Sequence, residues 1–394
     1  MTTRETIELF QRYVVPNYGR VGVVFVRGEG SRLWDADGKR YLDLFPGWGV
    51  NLLGHCHPRV VEALRRQAGE LLHVANTFYS EPQGKLAKLI SERSFGGQCF
   101  FCNSGAEAVE AAIKLARKHS APDRYKIVTM ENSFHGRTLG AVSATAQAKY
   151  HEGFQPIVGG FVYARYNDLG AAEAAVDAET CAVMLEVVQG EGGINIADKG
   201  YLRGLRELAD RKGALLIFDE VQTGVGRTGE WFGHVRAGVE PDILTLAKGL
   251  GGGVAIGAME AKAEIAKALV PGSHASTFGG NPLAAAAACA TFEAIEEEGM
   301  LANVRNQAVY VEAALRRLAR EFPFIREVRV AGMMIGVELD RKGGPIVERA
   351  LARGLIINCT HDTVLRLLPA LNVTREELDE GLSILKDVLE EEER

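Results

Sequence analysis

The stretch that decides the fold runs from Ala214 to Gly253 and reads ALLIFDEVQTGVGRTGEWFGHVRAGVEPDILTLAKGLGGG. It opens with an apolar run that is too short and too rich in β-formers for a helix, and this run ends at Asp219. A second apolar run, residues 243–247, follows a Pro-Asp pair and ends at Lys248, directly before a glycine-rich segment. The pattern predicts two buried strands that each bring one ionisable residue to a sheet edge.

We expect Asp219 and Lys248 to face one crevice, because ligands of open α/β sheets bind outside the carboxyl ends of the strands. An amine beside a fixed carboxylate is what a pyridoxal phosphate (PLP) site requires. The lysine bonds to the cofactor aldehyde, and the aspartate keeps the pyridine nitrogen protonated so that the ring can accept negative charge. Taken alone, such a pair is more often a surface charge and a helix cap, so the hypothesis depends on the rest of the chain.

The segments around this stretch predict an α/β fold with a mostly parallel central sheet covered by helices on both faces. Strand-like apolar runs alternate with helical periods, at residues 99–102, 125–130, 160–164, 181–187, 214–219, 243–247 and 255–260. Asn281-Pro282 predicts the start of a long alanine-rich helix. The helices and strands that follow indicate a separate, smaller α+β domain.

The N-terminal region up to about Gly54 is expected to alternate short strands with turns. Asp37-Gly38 predicts a hairpin between alternating flanks. A helix is predicted after Pro58, where apolar residues recur at helical spacing. His55 and His57 have no acidic or cysteine neighbour in sequence, so we interpret them as loop histidines and expect no metal site.

Composition excludes several classes of protein. The 394 residues exceed what one hydrophobic core usually supports, and 47% hydrophobic with 24% charged residues is typical of a soluble globular protein. A formal charge of −6 without basic clusters argues against a nucleic-acid or membrane partner. The N-terminal residues contain no uninterrupted apolar run, so a cytoplasmic location is expected. The six cysteines are expected to be free thiols.

Three further motifs offer chemistry that a PLP site would use. The turn Asn103–Glu107 enters a helix, where free backbone N–H groups could bind a phosphate. In the motif NSFHGRT, Phe134 could stack on a planar ring and Arg137 could bind a carboxylate. Glu191 lies between glycines in QGEGG. Each has an ordinary alternative, namely turn geometry, core packing or a solvated acid.

One motif points to a different cofactor. Residues 224–229 match G-x-G-x-x-G and follow a predicted strand. A dinucleotide fold places this motif in its first βα turn with a helix directly after it, whereas here it lies deep in the chain and precedes an aromatic stretch. We therefore reject the nicotinamide interpretation.

Taken in order, the motifs resemble those of the class III (subgroup II) PLP-dependent aminotransferases, and among them most closely the acetylornithine aminotransferases. The resemblance covers nearly the whole chain, and it is the joint order that is specific. It is carried by NSGAEAVEAAIKLAR, SFHGRTLGA, QGEGG, LLIFDEVQTGVGRTG, ILTLAKGLGGG, HASTFGGNPLA and RLLPAL. The resemblance implies a type I PLP-dependent transferase fold. We expect a large cofactor-binding domain at 55–285 and a small α+β domain built from 1–54 and 286–394.

The resemblance also implies a role for each site residue. Lys248 and Asp219 are the catalytic pair. Cofactor contacts are expected from Ser104, Gly105, Ala106, Phe134, Val221, Gln222 and, across a homodimer interface, Thr277. Substrate contacts are expected from Arg137, Arg366, Glu191 and Ser276. Ala106, Val187, Ala255 and Ala370 depart from residues common in the family, and these departures bear on the substrate more than on the reaction.

The implied reaction moves the terminal amino group of N2-acetylornithine to 2-oxoglutarate. Relatives that act on free ornithine carry a tyrosine ahead of the VNLLGH motif, whereas this chain has Gly47 there with Trp48 beside it, which leaves room for an acyl group. Succinylornithine, carrier-linked lysine, ornithine and 4-aminobutyrate stay open as substrates. A racemase or mutase of the same fold, and a scaffold without catalysis, are further alternatives, although Lys248 argues against the scaffold.

Overall fold

The computed structural model describes residues 1–393. The chain begins with helix α1 (Thr3–Tyr13), followed by strands β1 (Phe25–Glu29), β2 (Arg32–Asp35) and β3 (Arg40–Asp43). The hairpin predicted at Asp37-Gly38 is confirmed, since β2 and β3 pair antiparallel around it. The expectation of strands and turns from the very start is wrong for α1. Thr2 and Glu5 form a capping box that stabilises this helix.

The middle of the chain alternates helices with strands. The helices are α2 (Pro58–Glu70), α3 (Glu81–Arg93), α4 (Gly105–His119), α5 (Leu139–Ala144), α6 (Leu169–Ala175), α7 (Lys199–Lys212), α8 (Gly233–Ala237), α9 (Ala263–Ala266) and α10 (Pro282–Glu297). The strands are β4 (Gln98–Cys102), β5 (Lys126–Met130), β6 (Phe161–Ala164), β7 (Thr180–Leu185), β8 (Val188–Gln189), β9 (Asn195–Ile196), β10 (Leu215–Asp219), β11 (Ile243–Leu246) and β12 (Gly257–Ala261). Every strand run predicted here is present, with ends shifted by at most a few residues.

Seven of these strands form one sheet in the order β4-β12-β11-β10-β7-β5-β6. Only β12 runs antiparallel to its neighbours. Alternate residues of a strand point to opposite faces, so Phe218 packs in one core cluster and Ile217 in the other. Helix α7 covers the first face through Leu205, and α4 covers the second through Ala112. The mostly parallel, helix-covered sheet is therefore confirmed.

The C-terminal part contains α11 (Met300–Glu321), β13 (Ile325–Ala331), β14 (Met334–Leu339), α12 (Gly344–Ala352), β15 (Leu355–Ile356), β16 (Asn358–Thr360), β17 (Val364–Leu367) and α13 (Arg375–Glu393). Strands β13, β14, β17 and β16 form an antiparallel sheet. The turn between β16 and β17 holds His361 at φ 48° and Asp362 at φ 58°. No helix among residues 1–393 is both long and apolar enough to cross a membrane.

The two chain ends meet in a third sheet, of order β1-β2-β3-β15. Strand β15 pairs parallel to β3, so residues near 355 lie beside residues near 42. This pairing is what a small domain built from both ends would require. The expected domain boundary at residue 285 falls inside helix α10. This helix packs against α2 and α3. The domain limits themselves stay a prediction.

Candidate active site

Asp219 and Lys248 line one cavity of about 470 Å³ at the carboxyl ends of β10 and β11. Asp219 is the last residue of β10, and Lys248 begins a short 3-10 turn directly after β11. Burial lowers the pKa of Lys248, and this effect outweighs the nearby carboxylates of Glu191 and Asp219, which favour the charged amine. A partly buried lysine with a lowered pKa is a better nucleophile toward a carbonyl than an exposed one.

The carboxylate of Asp219 is held by three donors. His135 Nδ1 lies 2.7 Å from Oδ2, while the Val221 N–H and the Thr245 hydroxyl donate to Oδ1 at 3.0 and 3.1 Å. Burial alone would lower the pKa of His135, but the hydrogen bond and charge of Asp219 outweigh it and raise that pKa. Sequence reasoning missed His135, although it lies next to Phe134 in the NSFHGRT motif.

Glu186 is a second acid that the sequence did not single out as a site residue. It lines the same cavity and accepts hydrogen bonds from the backbone N–H groups of Phe134 and Gly190 at 3.1 and 3.2 Å. Burial raises the pKa of Glu186 to about 7, helped by the charge of Asp219 and opposed by His135. The carboxyl group thus titrates near neutral pH beside Asp219.

The expected phosphate seat lines the same cavity. Ser104 is the N-cap of α4, and its hydroxyl accepts the Glu107 N–H at 3.2 Å. Gly105 and Ala106 begin the helix and line the cavity. The free backbone N–H groups and the positive end of the helix dipole are therefore at the cavity wall. A Cβ on Gly105 would lie 2.8 Å from Val221, so this close approach requires glycine.

The remaining cavity walls fit a planar aromatic ring. Phe134, Val221 and Gln222 all line it. Gln222 is buried, and its Oε1 has no hydrogen-bond partner among residues 1–393. An unpaired amide, a fixed carboxylate, an amine and a helix N-terminus are together the groups that PLP would satisfy. The site therefore fits this cofactor.

Arg137 lines the cavity mouth with a free guanidinium. Its Cζ lies 4.1 Å from the ring centroid of Tyr150 and 5.5 Å from that of Phe134. Within residues 1–393 the guanidinium makes no hydrogen bond or ion pair with protein groups. Two aromatic rings thus orient a cation whose N–H donors stay available for a carboxylate.

Arg366 is held differently. It is buried on β17, and its Nη1 donates to Glu191 Oε1 at 2.8 Å and to the Gly190 carbonyl at 2.9 Å. Burial alone would raise the pKa of Glu191, but the charge of Arg366 and its hydrogen bond hold that pKa below its usual value. The Thr360 hydroxyl donates to the backbone carbonyl of Glu191 at 2.7 Å. The structure thus brings together two predicted residues that lie 175 positions apart.

Four predicted residues do not line this cavity: Glu191 and Arg366, whose charges still act on Lys248, and Ser276 and Thr277. Ser276 and Thr277 line a neighbouring cleft, together with Asn76 and His73. The Ser276 hydroxyl accepts hydrogen bonds from Asn103 and from the Gly279 N–H. Thr277 is exposed. Neither side chain lines the Lys248 cavity of its own chain, although Ser276 contacts Asn103 in the cavity wall.

Residues 224–229 form a turn after β10 and do not begin a helix. Arg227 of this motif is buried and donates to the carbonyls of Met333, Pro369 and Gly49. Burial lowers its pKa to about 9. The motif thus ties the loop after β10 to the C-terminal part and is not a phosphate loop.

Among the positions that depart from the family, only Ala255 and Ala106 line the cavity. Val187 and Ala370 are buried away from it. Gly47 and Trp48 lie in a 3-10 turn, Pro46–Gly49, with Trp48 half exposed. The neighbouring Val50 reaches the cavity wall, so this turn borders the site.

Comparison with known proteins decides the family. The model of the family described as Aminotransferase class-III matches residues 13–389. The chain belongs to the class III aminotransferases. The resemblance and the fold class inferred from the sequence are thereby confirmed.

Two relatives of this class III aminotransferase cover nearly its whole length. An acetylornithine aminotransferase of Caldanaerobacter subterraneus subsp. tengcongensis is 51% identical over 386 residues, which are 97% of this chain and 98% of the relative. The acetylornithine aminotransferase of Methanocaldococcus jannaschii is 50% identical over 395 residues, which are 99% of each chain. Among solved structures, the ornithine aminotransferase of Toxoplasma gondii ME49 matches with a TM-score of 0.95 at 36% identity, covering 100% of this chain and 97% of that chain.

Proposed function

We propose that this class III aminotransferase uses PLP to move the terminal amino group of N2-acetylornithine to 2-oxoglutarate. The observation that carries the proposal is the contrast between two arginines. Arg137 has no acidic partner among residues 1–393, whereas Arg366 is paired with Glu191. One open and one closed carboxylate site suit a pair of substrates of which only one carries a carboxylate next to the reacting carbon.

Bound PLP supplies an aldehyde that takes up the amino group and a ring that accepts negative charge. Lys248 would hold the cofactor and, once released, carry the proton between the substrate carbon and the cofactor carbon. Asp219, oriented by His135, would keep a positive charge on the ring nitrogen. The first turn of α4 would bind the phosphate.

The two substrates would use the arginines in turn. Arg137 would bind the carboxylate far from the reacting carbon in both substrates. Arg366 would bind the α-carboxylate of glutamate or 2-oxoglutarate, and Glu191 would occupy Arg366 when acetylornithine is bound. An unpaired buried guanidinium typically costs several kcal/mol, so this pairing would stabilise the acetylornithine complex.

The acyl group is supported by two observations. By the family resemblance, Gly47 stands where enzymes that act on free ornithine carry a tyrosine. The acetylornithine aminotransferases named above are 51% and 50% identical to this chain. Because the T. gondii ornithine aminotransferase is 36% identical to this chain, ornithine should be assayed together with acetylornithine.

We also propose that the enzyme is a homodimer in which Thr277 completes the partner's phosphate site. Thr277 lies outside the Lys248 cavity of its own chain, and large exposed apolar side chains occur in its own segment and directly after residues 75–77, which line the same cleft. They include Phe278 at 60% exposure, Phe78 at 66% and Tyr79 at 105%. Such a patch on a monomer is typical of an interface.

The test is a panel of amino donors assayed with 2-oxoglutarate: acetylornithine, succinylornithine, ornithine, lysine and 4-aminobutyrate. We expect kcat/KM for acetylornithine to exceed that for ornithine by about tenfold or more, since a pocket shaped for an acyl group loses contacts with the smaller substrate. A preference for ornithine or 4-aminobutyrate would overturn the substrate. Lys248→Ala is the inactive control, and borohydride should attach the cofactor to Lys248 alone in the wild type.

A further inference from the structure

Asn358 lies beside the buried arginine, and the sequence did not single it out. Strands β16 and β17 pair so that Asn358 is directly opposite Arg366. On the other side of β17, the residue opposite Arg366 is Gly336, which has no side chain. Cross-strand neighbours share a face of the sheet, so Asn358 is the only one of the two that can reach the guanidinium.

Asn358 accepts two hydrogen bonds from Arg366. Its Oδ1 lies 3.2 Å from Nε and 2.8 Å from Nη2. On the other edge of the guanidinium, Nη1 donates to Gly190 and Glu191. The ring of Phe45 lies 5.0 Å from Cζ. A guanidinium has five N–H groups, so one N–H of Nη2 stays without a partner among residues 1–393.

Only one of these partners carries a charge. The Gly190 carbonyl and the Asn358 amide are neutral, and Glu191 is the single carboxylate paired with Arg366 in the described chain. An aspartate at position 358 would have nearly the shape of the asparagine. It would neutralise Arg366 in every state of the enzyme, because unlike Glu191 it is held in the β16–β17 ladder.

We propose that Asn358 is a positioning residue that orients Arg366 without neutralising it. Its Oδ1 holds Nε and one N–H of Nη2. The second N–H of Nη2 and the Nη1 N–H that Glu191 releases are then the fork offered to an α-carboxylate. This inference rests on the proposed function, in which Arg366 receives glutamate and 2-oxoglutarate. A neutral partner keeps the arginine positive enough for a substrate carboxylate to displace Glu191.

The test compares Asn358→Asp with Asn358→Leu, a neutral side chain of the same branched shape that accepts no hydrogen bond. Single-turnover spectroscopy measures each half-reaction. For Asn358→Asp we expect kcat/KM to fall about thirtyfold or more with glutamate and 2-oxoglutarate, and to stay within about threefold with acetylornithine. With glutamate, kcat/KM should fall less in Asn358→Leu than in Asn358→Asp. An equal loss in both half-reactions, or a larger loss for leucine than for aspartate, would overturn the proposal.

A binding measurement separates this inference from the proposed function. Glutarate has two carboxylates at the spacing of 2-oxoglutarate and does not react. Calorimetry on the PLP-loaded enzyme should show its Kd rising about tenfold or more in Asn358→Asp. If acetylornithine is no substrate but glutarate binding weakens as expected, the proposed substrate fails and the role of Asn358 stands. If acetylornithine is the substrate and glutarate binds both proteins equally, the role of Asn358 fails.

Discussion

Asp219 and His135 form a buried pair, with Oδ2 of the carboxylate 2.7 Å from Nδ1 of the ring. The side chain of His135 is fully buried and that of Asp219 is 4% exposed. Two further donors, the Val221 N–H and the Thr245 hydroxyl, fix the other oxygen. The direction in which Asp219 faces the cavity is therefore fixed by these three hydrogen bonds.

His135→Leu should lower kcat about tenfold to a hundredfold, because a hydrogen bond to a charged group contributes about 1.5–3 kcal/mol. His135→Asn keeps a donor and should recover part of that loss. Steady-state kinetics gives kcat, and absorbance titration gives the Kd for PLP, which should change less than kcat. Equal impairment of the leucine and asparagine variants would show that the hydrogen bond is not what matters.

The pKa of Glu186 predicts a pH dependence of stability in the cofactor-free protein. Its pKa is raised from 4.5 to about 7, so between these values the folded protein binds more protons than the unfolded chain. The contribution of this carboxyl group to the free energy of unfolding is therefore largest below pH 4.5. That contribution falls as the pH rises from 4.5 to about 7. We compare the unfolding free energy of Glu186→Gln minus that of the wild type at each pH. This difference should increase by on the order of 3 kcal/mol from pH 4.5 to pH 8, since one pKa unit is about 1.4 kcal/mol.

Urea unfolding at several pH values measures this difference. Glu312→Gln, at an exposed helix pair with Arg316, serves as the control and should show a nearly constant difference from wild type. A constant difference for Glu186→Gln as well would mean that this carboxyl group does not titrate in the window.

Glu191→Ala should improve the glutamate half-reaction relative to the acetylornithine half-reaction by about tenfold or more. In this variant Arg366 loses its only carboxylate partner within residues 1–393. When acetylornithine binds, the buried charge of Arg366 then stays unpaired. Glu191→Gln should act in the same direction if charge is the cause. Single-turnover spectroscopy of both half-reactions measures the ratio. An equal change in both, or a selective loss with glutamate, would refute the proposed pairing of Glu191 with Arg366 in the acetylornithine complex.

Thr277→Ala should weaken PLP retention about tenfold if its hydroxyl binds the phosphate of the partner subunit, since a hydrogen bond to a charged group is lost. Thr277→Ser keeps the hydroxyl and should retain the cofactor. Equilibrium dialysis gives the Kd for PLP, and sedimentation gives the oligomeric state. A fully active monomer would count decisively against the shared site.

Arg227→Met should destabilise the fold by about 2–4 kcal/mol, because three buried carbonyls lose their donor. Arg316→Met, at an exposed pair with Glu312, should cost less than about 1 kcal/mol. Urea unfolding compares the two. If Arg227→Met were as stable as wild type, the interior around Gly49 and Pro369 would have to satisfy those carbonyls in another way.

Local patterns were enough to predict much of the site. The strands that end at Asp219 and Lys248 are short apolar runs, and parallel strands deliver their last residues to one edge, so one shared cavity followed from the sequence. The turn at Ser104 and the motif with Phe134 and Arg137 follow β4 and β5, which belong to the same sheet. The shared location of these side chains needed only the alternation of strands and helices, whereas their roles came from the resemblance to the family.

Other features depend on pairings that a sequence does not display. Asn358 meets Arg366 through strand register, and His135 meets Asp219 across 84 positions. The raised pKa of Glu186 arises from burial, which is set by the whole fold. Helix α1 was missed although the capping box of Thr2 and Glu5 can be read from the sequence. None of its residues is buried in the chain described here, so burial does not mark this helix.

The turn at His361 and Asp362 has a consequence for how such an enzyme changes its substrates. Both residues have left-handed φ values, and the turn sets the register of the hairpin that places Asn358 opposite Arg366. Inserting or deleting one residue there would put Ile357 or Cys359 opposite the arginine, and neither offers an amide oxygen. Dual-substrate selectivity could therefore drift through a surface turn during evolution, with every residue that touches the substrate unchanged.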